Sequence, residues 1–492
     1  MERKAGILLH PSSLPGPYPI GDFGSEAYAF VDWLESAGQK LWQMLPLLPP
    51  DNVGSPYASH SAMGISQLYI SLEKLLDDDL VCQRDPRHKG SYPVVDYGEA
   101  YKLKDNLLKH SYGHFLDIDN ASLNNEFNDF CVKEAHWLDE YALFEALKAE
   151  FAGARWQDWP ADVKKLEKAA IEKWRSKLSQ EINNEKYNQW LVHRQWFKLK
   201  KYANNKGIEI IGDIPFFVRH DSVDVWAHQN KYLLDKDGQP KVVAGVPPDM
   251  FSELGQYWGN PIYDWSVVKR EGYVWWLERI KYYRSLFDVL RIDHFRGYES
   301  LWQIPAKTKD ARKGKWALSP GEELLSMIKE ALPKNSLIAE DIGLITDKVV
   351  ALRDKMEIPG VRVILFGFGD DTTNPSLPHN FPENCVGYTG THDTDTARGW
   401  LDATSPDRRE RALDYTKAGK DNFADTIIRL GMASAAHWFI TPLQDVLNLD
   451  NEARMNTPNS TNGNWSWRVS KKDLTEAVAE KMKKVSRNTN RY

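Results

Sequence analysis

The amino-acid sequence predicts an α/β protein, a (β/α)8 barrel with large inserted subdomains that are mostly helical. Eight short segments rich in strand-forming residues alternate with helical or loop segments along the 492-residue chain, as in a barrel of parallel strands. A second observation concerns the region from about residue 102 to residue 205, which is charged, rich in Trp and almost free of Pro and Gly. This composition is typical of helices inserted between two barrel strands.

The first predicted strand, Gly6–His10, precedes a Pro-rich loop and a helix at Ser25–Gly38. A second strand follows at Lys40–Pro46, and after it a long polar loop at residues 49–62, a length that usually indicates function. The six remaining strands are predicted within 208–215, 289–297, 337–343, 361–366, 386–393 and 438–443. Helical periodicity between the later strands predicts helices at Gly321–Leu332, Ile345–Lys355, Asp407–Leu430 and Lys471–Ser486.

This pattern predicts one catalytic barrel over residues 1–492 with two insertions. The first spans about residues 50–205 and is largely helical from about 102. The second spans about residues 219–288 and carries a loop at 245–261, which is rich in Pro, Gly and aromatic residues. That loop could cover a site and exclude water, or it could be a rigid surface loop.

Composition excludes several classes of function. The net charge of −6 and the absence of a basic stripe disfavour nucleic-acid binding. The three cysteines are far apart, so neither a disulfide framework nor a zinc site is expected, which fits a reducing cytosol. The N-terminal apolar run is too short for a signal peptide, and no segment reaches membrane-spanning length. We therefore expect a cytoplasmic protein without membrane association, and no metal or other cofactor; the oligomeric state stays open.

Three acids follow predicted strands: Asp293 the fourth, Glu340 the fifth and Asp393 the seventh. The carboxyl ends of barrel strands meet at one rim, where barrel enzymes hold their catalytic groups. A single acid there is often only a turn or cap residue. Arg291 points the same way as Asp293 along its strand, and such an Arg–Asp pair can also be merely structural. Three acids together, with Arg291 and His392 beside them, favour a catalytic site.

Paired carboxyls of this kind suit glycoside chemistry. One must be protonated to give its proton to the leaving oxygen, and the other must be ionised to attack or to activate water. We expect Arg291 to lower the pKa of Asp293, and a neighbouring carboxylate to raise the pKa of the acid.

The motifs around these acids resemble the four sequence regions shared by the α-amylase clan of barrel enzymes: Gly212-Asp213, Arg291–His294, Ala339–Asp341 and Thr391–Asp393. The resemblance is tighter to one branch, the 4-α-glucanotransferases called amylomaltases or disproportionating enzymes. It rests on motifs that run through nearly the whole chain: Ser55–Tyr57, Gly245–Asp249, Gly255–Pro261, Leu290–Gly297, Ala339–Gly343 and Asn464–Arg468. The chain also ends soon after its eighth strand, so no C-terminal β-sandwich domain is expected, as in that branch.

The resemblance implies a retaining 4-α-glucanotransferase that moves α-1,4-glucan segments to the 4-hydroxyl of an acceptor glucan or glucose. It implies Asp293 as nucleophile, Glu340 as general acid/base and Asp393 as transition-state stabiliser, with Asp395 outside this set. It also implies substrate-binding roles for Arg291, His392, Asp213, Tyr57, Asp249, Trp258, His294 and Asn464. An α-amylase-type retaining hydrolase is the alternative, because it forms the same glycosyl-enzyme. A non-catalytic glycan-binding protein is disfavoured by the intact acids.

Overall fold

The computed structural model describes residues 2–81, 90–118, 120–248, 252–458, 460 and 462–492. Its strands are β1 Lys4–Leu8, β2 Leu41–Gln43, β3 Glu209–Ile214, β4 Val242–Val246, β5 Gln256–Pro261, β6 Val289–Ile292, β7 Ser300–Pro305, β8 Lys315–Leu318, β9 Leu337–Ala339, β10 Gly360–Val363, β11 Cys385–Tyr388 and β12 Trp438–Pro442. Eight of them form a closed parallel barrel in the order β1, β2, β3, β6, β9, β10, β11, β12. The predicted fold class is therefore confirmed, with each predicted strand in its place.

The strands lie where apolar residues can fill both the barrel interior and the layer beneath the helices. Residues of β1, β6, β11 and β12 are almost all buried, as expected for parallel strands covered on both faces. The ladders end before the acids: β9 stops at Ala339 and β6 at Ile292. Asp293 and Glu340 thus directly follow their strands at the carboxyl rim, and their main-chain N–H groups still donate to the carbonyls of Ile214 and Ile292, both at 3.0 Å.

Helices cover the barrel and build most of the chain between β2 and β3. They are α1 Ser25–Ser36, α2 Leu72–Asp77, α3 Tyr97–Asp117, α4 Ala121–Lys133, α5 Ala135–Glu150, α6 Ala161–Lys164, α7 Lys168–Lys177, α8 Ser179–Asn205, α9 Val223–Ala227, α10 Trp265–Arg270, α11 Val274–Leu286, α12 Gly321–Ala331, α13 Asp347–Lys355, α14 Ala397–Ala403, α15 Pro406–Thr416, α16 Phe423–Ala433, α17 Leu443–Val446 and α18 Glu476–Asn488. None of the helices in the described part of the chain is long and apolar enough to cross a bilayer.

The helical segment predicted at Asp407–Leu430 is divided into two helices, α15 and α16. Lys417 ends the first helix in the left-handed region, with φ of 52°. Gly419 follows, and a short turn leads into α16. A non-glycine residue in this conformation stops a helix even where the apolar periodicity continues on either side.

The sequence patterns did not predict a four-stranded antiparallel sheet, in the order β5, β4, β7, β8. Its strands come from two different crossovers, the one before β6 and the one after it. Strands β5 and β8 are largely exposed and lack a buried alternating face, so the usual strand signal is weak. Its small core consists of Val243, Ile304 and Ala311. The predicted loop 245–261 therefore includes the end of β4 and all of β5.

Arg491 closes the opposite, amino-terminal rim of the barrel. Its side chain is fully buried and its guanidinium donates to several main-chain carbonyls. The Nη1 atom donates to the carbonyls of Lys4 at 3.2 Å and His437 at 2.8 Å, next to the starts of β1 and β12. The Nε atom donates to the carbonyl of Met432 at 2.7 Å. A single side chain thus joins the first and last barrel strands.

Candidate active site

A buried charge cluster lies beneath the carboxyl rim, where β3 and β6 pair. Asp213 and Arg291 are register partners across these strands. The Arg291 Nη1 atom donates to Asp213 Oδ2 at 2.6 Å and to Asp293 Oδ1 at 3.2 Å. Tyr57, from the loop after β2, donates its hydroxyl to the same Asp213 oxygen at 2.7 Å. Asp213 has no exposed surface, so within this cluster it holds Arg291 and Tyr57 in position.

Glu340 is tied to the turn that follows Asp293. Its Oε2 atom accepts a hydrogen bond from the main-chain N–H of His294 at 2.8 Å. Its main-chain N–H donates to the carbonyl of Ile292, and its carbonyl accepts from Phe295, both at 3.0 Å. His294 has a φ of 49°, a left-handed conformation that costs free energy for a residue other than glycine. This turn fixes the two carboxyl groups on adjacent strands in one arrangement.

Burial determines the protonation of the two acids. It raises the pKa of Asp293 to about 7, although Arg291 acts in the opposite direction. Burial also raises the pKa of Glu340 well above its usual range, and the nearby Asp293 carboxylate adds to the rise. Arg291 acts in the expected direction, but removal of Asp293 from water outweighs the ion pair, so the net change in its pKa is upward. The expected rise at Glu340 is confirmed, so the proton of the pair belongs on Glu340.

Asp393 lies across the rim, in the loop after β11, and its side chain is 46% exposed. His392 Nε2 lies 3.3 Å from its Oδ2 atom, and Asn456 donates to Oδ1 at 2.6 Å. Arg454 donates to the main-chain carbonyl of Asp393 at 2.6 Å and to the Asp395 carboxylate at 2.5 Å. Asp395 thus anchors Arg454, while the Asp393 carboxylate stays open to solvent on one side.

Aromatic rings form two walls around the acids. Tyr57 stacks on His392, with ring centroids 5.2 Å apart and an interplanar angle of 14°. Trp465 contacts both rings at 5.9 Å. On the other wall, Trp258 stands edge-on to His294 at 5.0 Å and is 38% exposed. Exposed rings of this kind suit the flat faces of sugars.

Two further predicted site residues differ in their surroundings. The side-chain amide of Asn464 makes hydrogen bonds within its own turn. Its Nδ2 atom donates to the carbonyl of Ser460 at 2.7 Å, and its Oδ1 atom accepts from the N–H of Thr457 at 2.9 Å. It therefore shapes the loop that carries Asn456 and Trp465. Asp249 lies outside the described residues.

Sequence reasoning missed Asn456, Arg454 and Trp465. Asn456 and Arg454 lie in an irregular segment after α17, far from any strand end, so no periodicity or strand-end pattern marks them. Trp465 belongs to the Asn464–Arg468 motif but was not singled out as a site residue. Its φ of 62° is the one local signal of a constrained position, and it is visible only in the structure.

Comparisons with known proteins identify the family of the chain. The family model described as 4-alpha-glucanotransferase, glycosyl hydrolase family 77, matches residues 9–475. A 4-alpha-glucanotransferase of Thermus thermophilus is 42% identical over 501 aligned positions, covering 100% of this chain and 99% of that protein. One of Clostridium butyricum is 42% identical and covers 97% of this chain and 99% of that protein.

A solved structure shows the same fold. The amylomaltase from Streptococcus agalactiae in complex with acarbose superposes with a TM-score of 0.95, at 37% identity and with 100% of both chains covered. The resemblance inferred from the motifs is thus confirmed over the length of the molecule. Because the family model and these relatives all align along nearly the whole chain, this protein belongs to the 4-alpha-glucanotransferases, glycosyl hydrolase family 77.

Proposed function

We propose that this chain transfers α-1,4-glucan segments through a covalent glycosyl-enzyme on Asp293, with Glu340 as general acid/base and Asp393 as transition-state stabiliser. The observation that carries these roles is the difference between the two linked acids. Burial raises the pKa of both carboxyl groups, but Asp293 contacts Arg291, which favours its ionised form, whereas the Asp293 carboxylate favours the protonated form of Glu340. A protonated acid beside an ionised carboxylate is the arrangement that a retaining mechanism needs.

The reaction has two steps. Asp293 attacks the anomeric carbon, the glycosidic bond breaks, and the Glu340 proton passes to the leaving oxygen. In the second step the 4-hydroxyl of an acceptor attacks the same carbon, its proton passes to the Glu340 carboxylate, and the bond to Asp293 breaks. Asp393, exposed beside the cleft, stabilises the positive charge that develops on the sugar in both steps.

Family membership favours transfer over the hydrolase alternative, and α-1,4-glucans and maltooligosaccharides are the substrates, with glucose as an acceptor. An acceptor must outcompete water at roughly 55 M, which is feasible because effective molarities of positioned groups reach about 10⁵ M. Tyr57 and Trp258 supply rings that can hold sugars against the acids. His294 positions Trp258 and Glu340, and His392 positions Tyr57 and Asp393. Asp249 is kept in the proposed substrate-binding set on its motif alone.

We also propose that the enzyme acts in the cytoplasm. Cys131 and Cys385 are free thiols in the structure, as is usual in a reducing compartment. Alkylation of the protein as isolated from its cells, without added reductant, should label Cys131; a mixed disulfide at this position would count against the proposal.

Maltotriose provides the test of transfer. We expect a ladder of shorter and longer α-1,4-glucans together with glucose, because each cleaved bond is replaced by a new one. Reducing ends should therefore hardly increase while the ladder develops. Chromatography of the products and a reducing-sugar assay on the same samples measure both quantities. Reducing sugar that rises in step with bond cleavage would favour the hydrolase instead.

Replacing each of the two loop acids, Asp393 and Asp395, by Asn tests their separate roles. Asp393→Asn should lower kcat by about 10² to 10³, the loss typical of one removed electrostatic group. Asp395→Asn should leave more activity, because the Asp395 carboxylate is paired with Arg454. Steady-state kinetics of the two isosteric variants on maltotriose gives the ranking, and the reverse order would assign the stabilising role to Asp395.

The pH profile tests the protonation of the pair. Because Asp293 attacks only when ionised and burial raises its pKa to about 7, kcat/KM should fall as the pH drops below about 7. On the alkaline side activity should fall when Glu340 loses its proton. Glu340→Gln, assayed for the first turnover of an activated donor, should lose the alkaline limb and keep the acid limb. An acid limb near the ordinary carboxyl pKa would contradict this account.

A further inference from the structure

The loop after β11, which carries Asp393, borders a space that separates it from the ends of β1 and β12. This space measures about 420 Å³ and is partly open to solvent. Both neighbours of Asp393 along the chain, His392 and Thr394, lie in its wall, and so does Asp395. Contacts between close-packed atoms fix most side chains in a protein interior, but they are incomplete on this side of the loop. Hydrogen bonds therefore contribute to the position of the loop.

Arg454 joins this loop to the irregular segment that follows α17. Its Nη1 atom donates to Asp395 Oδ1 at 2.5 Å, and its Nη2 atom donates to the main-chain carbonyl of Asp393 at 2.6 Å. Its Nε atom donates to the carbonyl of Asn456 at 2.8 Å, within its own segment. The N–H of Asn456 donates in turn to the carbonyl of His392 at 3.0 Å. The two segments are thus bound together both before and after Asp393.

The direction of the Asp393 carboxylate depends on how these two segments lie. Asn456 Nδ2 donates to its Oδ1 atom at 2.6 Å from one segment, and His392 Nε2 lies 3.3 Å from its Oδ2 atom on the other. A shift of one segment relative to the other would turn the carboxylate away from the cleft. Misplacement of a reacting group by about 1 Å can cost about 10² in rate. The bridge made by Arg454 therefore acts on the group that is proposed to stabilise the transition state.

The charge of the guanidinium is balanced by Asp395. A lone positive charge beside Asp393 would weaken the negative potential that this acid presents to a positively charged sugar. The ion pair of Arg454 with Asp395, in which both side chains are partly buried, adds little net charge to the loop. An arginine also donates from three nitrogens in one rigid plane, which a lysine ammonium cannot do. The pair can thus hold the loop without opposing the charge of Asp393.

We propose that Arg454, neutralised by Asp395, is a positioning residue that holds the Asp393 carboxylate in the direction required for transition-state stabilisation. The inference rests on the proposed function in one respect, the role of Asp393. Arg454 acts through Asp393 and not on the sugar. Its loss should therefore lower kcat rather than raise KM, and it should matter only while Asp393 is present.

Steady-state kinetics on maltotriose tests the first expectation. Arg454→Gln should lower kcat by about 10- to 100-fold, the loss expected for a misplaced group, with KM nearly unchanged. Arg454→Lys keeps the charge beside Asp395 but not the planar set of donors, so its loss of kcat should be smaller. Arg429→Gln, at an exposed position on α16, is the matched control and should retain the native kcat. Thermal unfolding of each variant checks that it is folded.

A double-mutant cycle tests the second expectation. In the Asp393→Asn background, Arg454→Gln should lower the remaining kcat by no more than about twofold, because residues that act as a unit are not additive. Adding Asp395→Asn to Arg454→Gln should likewise cause little further loss, since the partner of Asp395 is already gone.

The possible failures separate this inference from the proposed function. A native kcat in Arg454→Gln, or a rise in KM alone, would overturn the positioning role and leave the proposed function intact. The same proportional loss with and without Asp393 would also overturn it, because a merely structural contact acts in both backgrounds. A larger loss in Arg454→Lys than in Arg454→Gln would contradict it too. A native kcat in Asp393→Asn would overturn both the role of Asp393 and this inference.

Discussion

Replacing Asp293 by Asn is expected to lower kcat/KM for maltotriose disproportionation by about 10⁵-fold or more, as for removal of other enzymatic nucleophiles. The amide cannot form the glycosyl-enzyme, so both transfer and any side hydrolysis should fall together. Product chromatography over long incubations measures the residual rate. A variant that retains activity within a hundredfold of the native enzyme would exclude Asp293 as the nucleophile.

The stability of this variant is its control. Burial raises the pKa of Asp293 to about 7, so its contribution to stability is present at low pH and is lost as the pH rises through about 7. The Asn side chain carries no charge and avoids this loss. At pH 8 the Tm of Asp293→Asn should therefore equal or exceed that of the native protein, which separates a chemical defect from misfolding.

Replacing Glu340 by Gln is expected to lower kcat for maltotriose by about 10³ to 10⁴, the upper part of the range for general acid–base groups. Maltotriose has a poor leaving group that needs the Glu340 proton, whereas a glucosyl fluoride does not. With the fluoride the first step should survive and the second, which needs a base, should stall. The glycosyl-enzyme should then accumulate.

Mass spectrometry of the intact variant measures this accumulation, and peptide analysis locates the sugar. We expect the label on Asp293. A label on Asp213, Asp393 or any other carboxylate would contradict the assignment, and equal losses with both donors would mean that Glu340 does not protonate the leaving group.

Much of the barrel could be predicted because its signals are local. Strands such as β6 and β12 are short runs of apolar, β-branched or aromatic residues between breakers, and the acids directly follow strands at Asp293 and Glu340. In a parallel barrel such positions necessarily converge on one rim. The rim position of the proposed catalytic acids thus follows from pattern and topology together.

What could not be predicted depends on distant neighbours. The nearer partner of Arg291 is Asp213, 78 positions away, because β3 pairs with β6 in a register that no local pattern reveals. The pKa of Asp293 depends on how far the surrounding loops bury its carboxyl group. The two-residue spacing in the sequence reveals only the nearby charge of Arg291. Arg454 and Asn456 reach Asp393 from an irregular segment. Such contacts form only when the loops at the carboxyl rim of the barrel come together in the folded protein.

The hydrogen bonds from Arg491 that join β1 and β12 have a consequence for the nascent chain, because the residues involved are synthesised far apart in time. β1 leaves the ribosome early, but its neighbour β12 and the guanidinium that joins them emerge more than four hundred residues later. Until then one edge of the nascent sheet lacks its partner strand, and exposed strand edges promote aggregation. The helices between β2 and β3 are synthesised during this interval and can fold from local contacts. The order of synthesis therefore provides the early strands with a helical cover before the barrel itself can close.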